Sequence, residues 1–433
     1  MENMKKTVNI FTLGCSKNRV DSEVTMKQLS ENGYSVVHES AKEKADFVLI
    51  NTCGFIGDAK EESIETILNF VKAKENGMVK KVLVFGCLSE RYKDELMKEI
   101  PEVDAWFGKF ELPKMLKYMT ASHFPTLMPN RIITTPSHYA FLKISEGCNR
   151  GCSFCAIPNI TGSHISRTME SLVEEATSLV ANGVKELILI AQELSYYGID
   201  LYNKQMLAPL MEQLAQIPGL AWLRIHYTYP ARFPMDILPV MAKYPNICKY
   251  MDIALQHISH PMLSAMRRNV TKEETFTLIR AFREQVPGIN LRTTLMVGHP
   301  GETEQDFQEL VQFVKDIRFE RLGVFTYSHE ENTYAWNNYK DEVPDEIKQR
   351  RADEIMEIQQ HISLELNQLK IGKTFKVLID RREGEYYIGR TEFDSPEVDN
   401  EVLITTSKRL AIGTFKEVMV TEADEYDLYA KLV

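Results

Sequence analysis

Short apolar, β-branched runs recur along the chain, separated by stretches with the three-to-four-residue apolar spacing of amphipathic helices. In the first 125 residues, Val8–Leu13, Phe47–Ile50 and Val82–Phe85 read as buried strands. Asp58-Ala-Lys-Glu61 predicts a capping box opening a helix to about Glu75, with Gly77 near its stop signal. A further helix, from about Ser89 to Glu99, halts at Pro101. Strand–helix units of this length imply a parallel sheet with helices on its faces. Pro125–Pro136, with three prolines and a polar remainder, reads as a linker.

The alternation resumes after the linker. Strand candidates fall at Phe141–Ile144, Leu187–Ala191, Trp222–Tyr227, Met251–Leu255, Asn290–Val297 and Leu322–Tyr327, with helical patterns such as Leu172–Asn182 between them. Six strand–helix units predict a partial barrel whose chemistry gathers at the carboxyl ends of the strands. Gln192, Gln256-His257 and Gly298 follow three of those strands. A charged helix over about Asp345–Leu369 ends near Gly372. The rhythm then shortens to Phe375–Ile379, Tyr386–Arg390, Glu401–Ile404, Glu417–Thr421 and Asp427–Leu432, a pattern that predicts a small antiparallel barrel. The organisation expected is therefore an α/β chain with an amino-terminal domain at 1–125, a linker at 126–138, a core at 139–366 and a small barrel at 367–433.

Composition narrows the class. With 433 residues, 44% hydrophobic and 26% charged, the chain matches ordinary globular proteins. No run approaches the roughly 18 apolar residues of a membrane span, and Met1-Glu2-Asn3-Met4-Lys5-Lys6 has no signal core, so a cytoplasmic protein without a membrane partner is expected. The net charge of −10 argues against broad grip on a phosphate backbone.

Seven cysteines in a reducing compartment point to metal or catalysis rather than disulfides. Cys148, Cys152 and Cys155 form a CxxxCxxC loop, while Cys15, Cys53 and Cys87 each end one of the first three apolar runs. Residues past the carboxyl ends of parallel strands share one sheet edge, so the second trio can meet in space. Three thiolates can hold a four-iron cluster with one iron left open for a substrate. A structural zinc site with His164 as fourth ligand, or buried core thiols for the dispersed trio, are the plainer readings. Cys248 has no partner and reads as core; His257 reads as a polar barrel-mouth residue, Arg267-Arg268 as an exposed helix terminus and Glu330-Glu331 as a solvated loop.

CxxxCxxC followed by six βα units resembles the radical S-adenosylmethionine superfamily. The whole arrangement, with three cysteines in an amino-terminal domain and a small terminal barrel (TRAM), resembles the methylthiotransferases. Several stretches are similar to the branch that modifies an aspartate of small-subunit ribosomal protein S-twelve at its β-carbon. These are Gly14-Cys-Ser-Lys-Asn-Arg-Val-Asp-Ser-Glu23, Asn51-Thr-Cys-Gly-Phe-Ile56 with Ala59-Lys-Glu-Glu-Ser63, Gly86-Cys-Leu-Ser-Glu-Arg-Tyr92, Ile144-Ser-Glu-Gly-Cys148, Tyr197-Gly-Ile-Asp-Leu-Tyr202 and Val324-Phe-Thr-Tyr-Ser-His-Glu-Glu331. The transfer-RNA branch usually has Gln-Met-Asn where this chain has Ser16-Lys17-Asn18. His299 and Glu193-Leu194 depart from the family pattern near the expected adenosylmethionine pocket.

The resemblance implies two 4Fe-4S clusters and S-adenosylmethionine as cofactors. Cys15, Cys53 and Cys87 would hold the first cluster; Cys148, Cys152 and Cys155 would hold the second, which chelates adenosylmethionine. Phe154, Gln192, Arg292 and Gly298 are the pocket residues it implies. The partners implied are ribosomal protein S-twelve and a reductant protein, with little direct nucleic-acid binding. From Asn367 to Val433 there are ten Lys/Arg and thirteen Asp/Glu, a balance that suits a basic protein substrate better than RNA. A transfer-RNA methylthiotransferase, a single-cluster radical enzyme and a non-catalytic ribosome- or RNA-binding protein with one structural metal, zinc rather than iron, are the rival readings.

Overall fold

The computed structural model describes residues 5–41, 44–124 and 131–433. The amino-terminal domain is built from β1 (Thr7–Thr12), α1 (Ser16–Glu31), β2 (Ser35–His38), β3 (Ala45–Thr52), α2 (Gly57–Glu75), β4 (Val79–Gly86), α3 (Cys87–Glu99), β5 (Ala105–Trp106) and α4 (Leu112–Tyr118). Its five strands are all parallel in the order β2-β1-β3-β4-β5. The three apolar runs become the three adjacent central strands, buried on both faces as a parallel sheet between helices requires. Helix α2 starts without a side-chain cap, and Asp58 lies inside its first turn, so the capping box expected there is absent. Genuine boxes occur at Thr271/Glu274 and Thr303/Asp306 in the core.

The core contributes β6 (Tyr139–Lys143), a short ribbon of β7 (Ser145–Glu146) and β8 (Ile165–Ser166), and then β9 (Glu186–Ile190), β10 (Trp222–Ile225), β11 (Tyr250–Gln256), β12 (Asn290–Val297) and β13 (Arg321–Thr326). Parallel pairing gives two triplets, β6-β9-β10 and β11-β12-β13, joined by the bridges Leu223–Ile247 and Thr228–Ile253. All six predicted strands are present, in sequence order, as an open barrel. Alternate residues divide the work: Leu291, Leu295 and Val297 pack outward under the helices, whereas Tyr139, Phe141, Ile188 and Ile190 face inward against Val20 of α1. The amino-terminal domain thus plugs the open side of the barrel. Residues 125–130 of the expected linker lie outside the described residues. Arg131 is buried: it pairs with Glu23 of α1 at 2.8 Å and with Glu175 of the core at 2.7 Å.

The terminal barrel closes as β14 (Thr374–Glu383), β15 (Tyr386–Arg390), β16 (Val402–Thr405), β18 (Leu428–Leu432) and β17 (Phe415–Ala423). It differs from the expected antiparallel barrel at one seam, where β16 and β18 run parallel. It docks on the amino-terminal ends of the core strands through buried ion pairs. Arg390 contacts Glu186 at 2.8 Å, Arg292 contacts Asp399 at 3.2 Å, and Arg321 pairs with Asp394. Among the described residues no helix is long and apolar enough to cross a membrane.

Candidate active site

Cys15, Cys53 and Cys87 stand at the carboxyl ends of β1, β3 and β4, three neighbouring strands. The loops there have almost no slack. Gly14 has φ +86°, and a Cβ on it would lie 2.7 Å from Cys53 Cβ and 2.8 Å from Cys53 Sγ. A Cβ on Gly54 would lie 2.7 Å from the Leu88 backbone. Behind the thiols, Asn18 donates to the carbonyls of Leu13 (2.9 Å) and Thr52 (3.1 Å), and the Cys87 thiol donates to Asn18 Oδ1 at 3.6 Å. Asn51 donates in turn to the Asn18 carbonyl and to Ser22 Oγ. Replacing Gly14 with alanine is therefore expected to force Cys53 aside and cost about 1–3 kcal/mol in strain. Iron and sulfide content should fall toward half of the wild-type value while the core stays folded, as read by near-ultraviolet circular dichroism.

Electrostatics differ across this trio. Burial pushes the Cys15 thiol up, but the ammonium of Lys17, the Asn18 backbone amide and the ammonium of Lys109 together reverse it, leaving it below the ordinary thiol range. Burial raises Cys53, and it raises Cys87 to about 12, with the neighbouring thiols adding to the effect. The three thiols thus sit within one another's fields.

The second trio follows the β7 ribbon. Gly147, at φ +75°, brings the chain so close that a Cβ would lie 2.1 Å from the Ser163 carbonyl oxygen, and the Cys148 amide donates to the Gly162 carbonyl at 3.2 Å. Burial raises Cys148 to about 11 and Cys155 further, each reinforced by the charge of Cys152. Ser153, between two of the cysteines, fastens the loop to the barrel: its amide donates to the Met266 carbonyl (3.0 Å) and its carbonyl accepts from Ala335 (2.7 Å). His299 completes this hold. Its Nδ1 must carry the proton, because its partner is the Pro300 carbonyl, so Nε2 accepts from the Ser153 hydroxyl at 3.0 Å. Burial keeps this imidazole neutral, with its pKa lowered to about 4.

Each trio offers soft sulfur donors from closely packed loops, with no fourth cysteine beside them; the one remaining cysteine, Cys248, is buried under the terminal barrel with Trp222, Tyr250 and Leu378. His164 bonds Ser166 Oγ at 3.0 Å. Among the described residues no three His, Cys, Asp or Glu side chains converge as a single metal ion would require. Three cysteines in one trio are a donor set that a four-iron cluster can take.

Of the expected pocket residues, Phe154 is half-buried within the cysteine loop. Gln192 donates to Glu146 Oε1, with its own Oε1 buried and unpartnered. Gly298 lies at the barrel mouth, but its missing Cβ makes room for Lys348, whose Cγ would be 2.2 Å away; its amide binds Glu302. Arg292 requires correction. It is the third residue of β12, at the end opposite Gly298, and is held by Asp252 (3.1 Å) and Asp399 (3.2 Å). It serves the docking of the terminal barrel. Glu193 is buried against Arg150 at 2.8 Å, and burial raises its carboxyl above the usual range.

Two residues read from sequence as solvated are central. Arg268 is buried and donates from Nη1 to Cys152 Sγ at 3.2 Å, its guanidinium stacked 4.1 Å from the Tyr229 ring. Glu330 accepts from Lys60 and Arg91, both at 2.9 Å. Arg91 also donates to the Gly54 carbonyl at 2.8 Å. Three of the family-like stretches, around Ala59–Ser63, Gly86–Tyr92 and Val324–Glu331, therefore meet at one carboxylate that clamps the first trio's loops to the barrel mouth. Lys109 and Lys143, joined to Asp21 and Glu146, make a second bridge across the junction. Beside it lies a cavity of about 290 Å³, lined from both domains by residues including Phe85, Lys109, Glu146 and Arg167.

Comparison with known proteins divides the chain as the fold does. Residues 7–108 match the Uncharacterized protein family UPF0004, residues 142–314 the Radical SAM superfamily and residues 371–433 the TRAM domain. The chain is 59% identical over 430 residues to the ribosomal protein uS12 methylthiotransferase RimO of Bacteroides thetaiotaomicron, covering 99% of both chains. It is 56% identical to that of Porphyromonas gingivalis, again covering 99% of each. Among solved structures, the radical S-adenosylmethionine methyltransferase TsrM from Kitasatospora setae superposes with a TM-score of 0.55 at 14% identity, over 95% of this chain and 84% of that one. The cobalamin-dependent radical enzyme OxsB gives 0.51 at 13%, over 82% of this chain and 56% of that one. At such identities the likeness is one of fold.

Proposed function

The chain belongs to the RimO family of ribosomal protein uS12 methylthiotransferases, and from that premise we propose that it adds a methylthio group to the β-carbon of an aspartate in uS12, using two 4Fe-4S clusters and S-adenosylmethionine. The observation that supports this reading is that the chain beyond Glu330, which Arg91 and Lys60 tie to the loops of the first trio, also binds the loop of the second, through the Ala335 amide and the Ser153 carbonyl. In this reading, Cys148, Cys152 and Cys155 hold the cluster that chelates adenosylmethionine, and Cys15, Cys53 and Cys87 hold the other. When bound, these groups supply one-electron radical chemistry, sulfur and a methyl group.

The chain's own residues supply placement. Arg268 sets a cation against the Cys152 sulfur at 3.2 Å and so orients it. His299 and Ser153 fix the loop that carries all three core cysteines. Lys17 and Lys109 favour the thiolate of Cys15. Glu330, Lys60 and Arg91 set the distance between the trios, and Val20 with the inward aromatic residues excludes water from the barrel on that side. Phe154 and Gln192 are the pocket residues we propose; Gln192 keeps a buried acceptor, Oε1, without a partner.

The test is a competition under anaerobic, reducing conditions. Reconstituted enzyme meets adenosylmethionine, a sulfide source, uS12 and transfer RNA together, and mass spectrometry locates the methylthio group. A mark on the uS12 aspartate is expected; a mark on adenosine alone would overturn the substrate assignment.

A further inference from the structure

Lys17 is a cation where local rules disfavour one. It lies in the first turn of α1, where aligned amide dipoles make an anion the stabilising choice, and that turn has no acidic residue. Its neighbours Lys109 and Lys143 are paired with Asp21. Lys17 is half-buried and, among the described residues, makes no ion pair with a carboxylate. Its ammonium rests instead 3.5 Å from the centroid of the Tyr227 ring. Tyr227 lies just past β10 with φ +62°, a backbone region that bulky residues rarely occupy, and its amide is pinned by Asp252 Oδ2 at 3.0 Å. An ammonium that makes no ion pair with a carboxylate among the described residues thus stands two residues from Cys15, over a tyrosine that follows a core strand.

Resting on the uS12 reading above, we propose that Lys17 is the substrate-binding residue that receives the carboxylate of the target aspartate and so holds its β-carbon at the junction. A substrate carboxylate accepts hydrogen bonds from this ammonium, and a charge-assisted hydrogen bond in a dry site discriminates roughly tenfold to a hundredfold. Adenosine offers no such group.

The test compares binding of two fluorescent peptides, one carrying the target aspartate in its uS12 context and one with asparagine there. Reconstituted enzyme is used with adenosylmethionine and without reductant. The wild-type protein is expected to prefer the aspartate peptide about tenfold or more. Lys17→Met should shrink that preference to within about twofold, and Lys17→Arg should keep most of it. If Lys17→Met loses iron, Lys17→Gln is read in its place. A wild-type protein without preference, or a Lys17→Met protein that retains it at full iron content, overturns the proposal. Because the competition assay uses wild-type enzyme alone, its failure would strike the uS12 reading, whereas a retained preference in Lys17→Met would strike only the role of Lys17.

Discussion

A Cys148→Ala enzyme is expected to form no 5′-deoxyadenosine from S-adenosylmethionine, whereas a Cys53→Ala enzyme should still form it but no longer methylthiolate uS12 over repeated turnovers. The separation follows from the construction. Each trio is held by its own domain: the first by Asn18, Asn51 and the tight approaches of Gly14 and Gly54, the second by Gly147, Ser153 and His299. The domains join through ion pairs, among them Glu330 with Lys60 and Arg91, that contain no cysteine. Removing one thiol should therefore empty one site and leave the other, so that iron falls from about eight per chain to about four in either variant. The absorbance of the remaining cluster and the yield of deoxyadenosine then tell the two sites apart. A Cys53→Ala enzyme that keeps about eight irons, or that turns over uS12 repeatedly, would end the two-cluster reading.

The sequence made the strands and the cysteine positions legible because both depend on local pattern and on the rule that parallel strands share their carboxyl edge. Cys15, Cys53 and Cys87 could be placed together without knowing a single contact. What escaped depends on partners remote in sequence. Arg268 reads as the end of an exposed helix until Cys152 and Tyr229 close over it. Glu330 reads as a loop acid until Lys60 and Arg91 arrive from the other domain. Strand β2 is four residues long at a sheet edge, too short and too exposed to give an alternating signal. Arg292 shares a strand with Gly298, but residues at opposite ends of an eight-residue strand serve opposite ends of the barrel. The acidity of the terminal barrel also takes on a different meaning. Asp380, Asp394 and Asp399 face inward to Arg390, Arg321 and Arg292, so part of the charge that argued for a basic partner serves docking instead.

That docking network carries the second large prediction, centred on Glu186. Its side chain is fully buried at the first position of β9 and stands between two guanidinium groups, Arg224 at 2.7 Å and Arg390 at 2.8 Å. Arg390 continues to Asp380, which also binds His138 at 2.7 Å. Replacing Glu186 with glutamine leaves Arg224 without a carboxylate and Arg390 with Asp380 alone, and breaking a buried pair in this way costs about 3–5 kcal/mol. The urea midpoint at neutral pH should fall accordingly, with the terminal barrel becoming the first part cut by protease. Burial alone would raise the Glu186 carboxyl, but Arg390 and Arg224 outweigh it and hold it below its ordinary value of 4.5. A carboxylate depressed in the folded state stabilises fully above its unfolded pKa, and that contribution fades as pH falls through the folded one. The gap between wild type and Glu186→Gln should thus be widest above about pH 5 and narrow as the solution is acidified below about 4.5. A gap under about 1 kcal/mol at neutral pH, or one that does not narrow in acid, would mean that the terminal barrel is held by its apolar contacts, Trp222 against Phe415 and Leu378, rather than by charge.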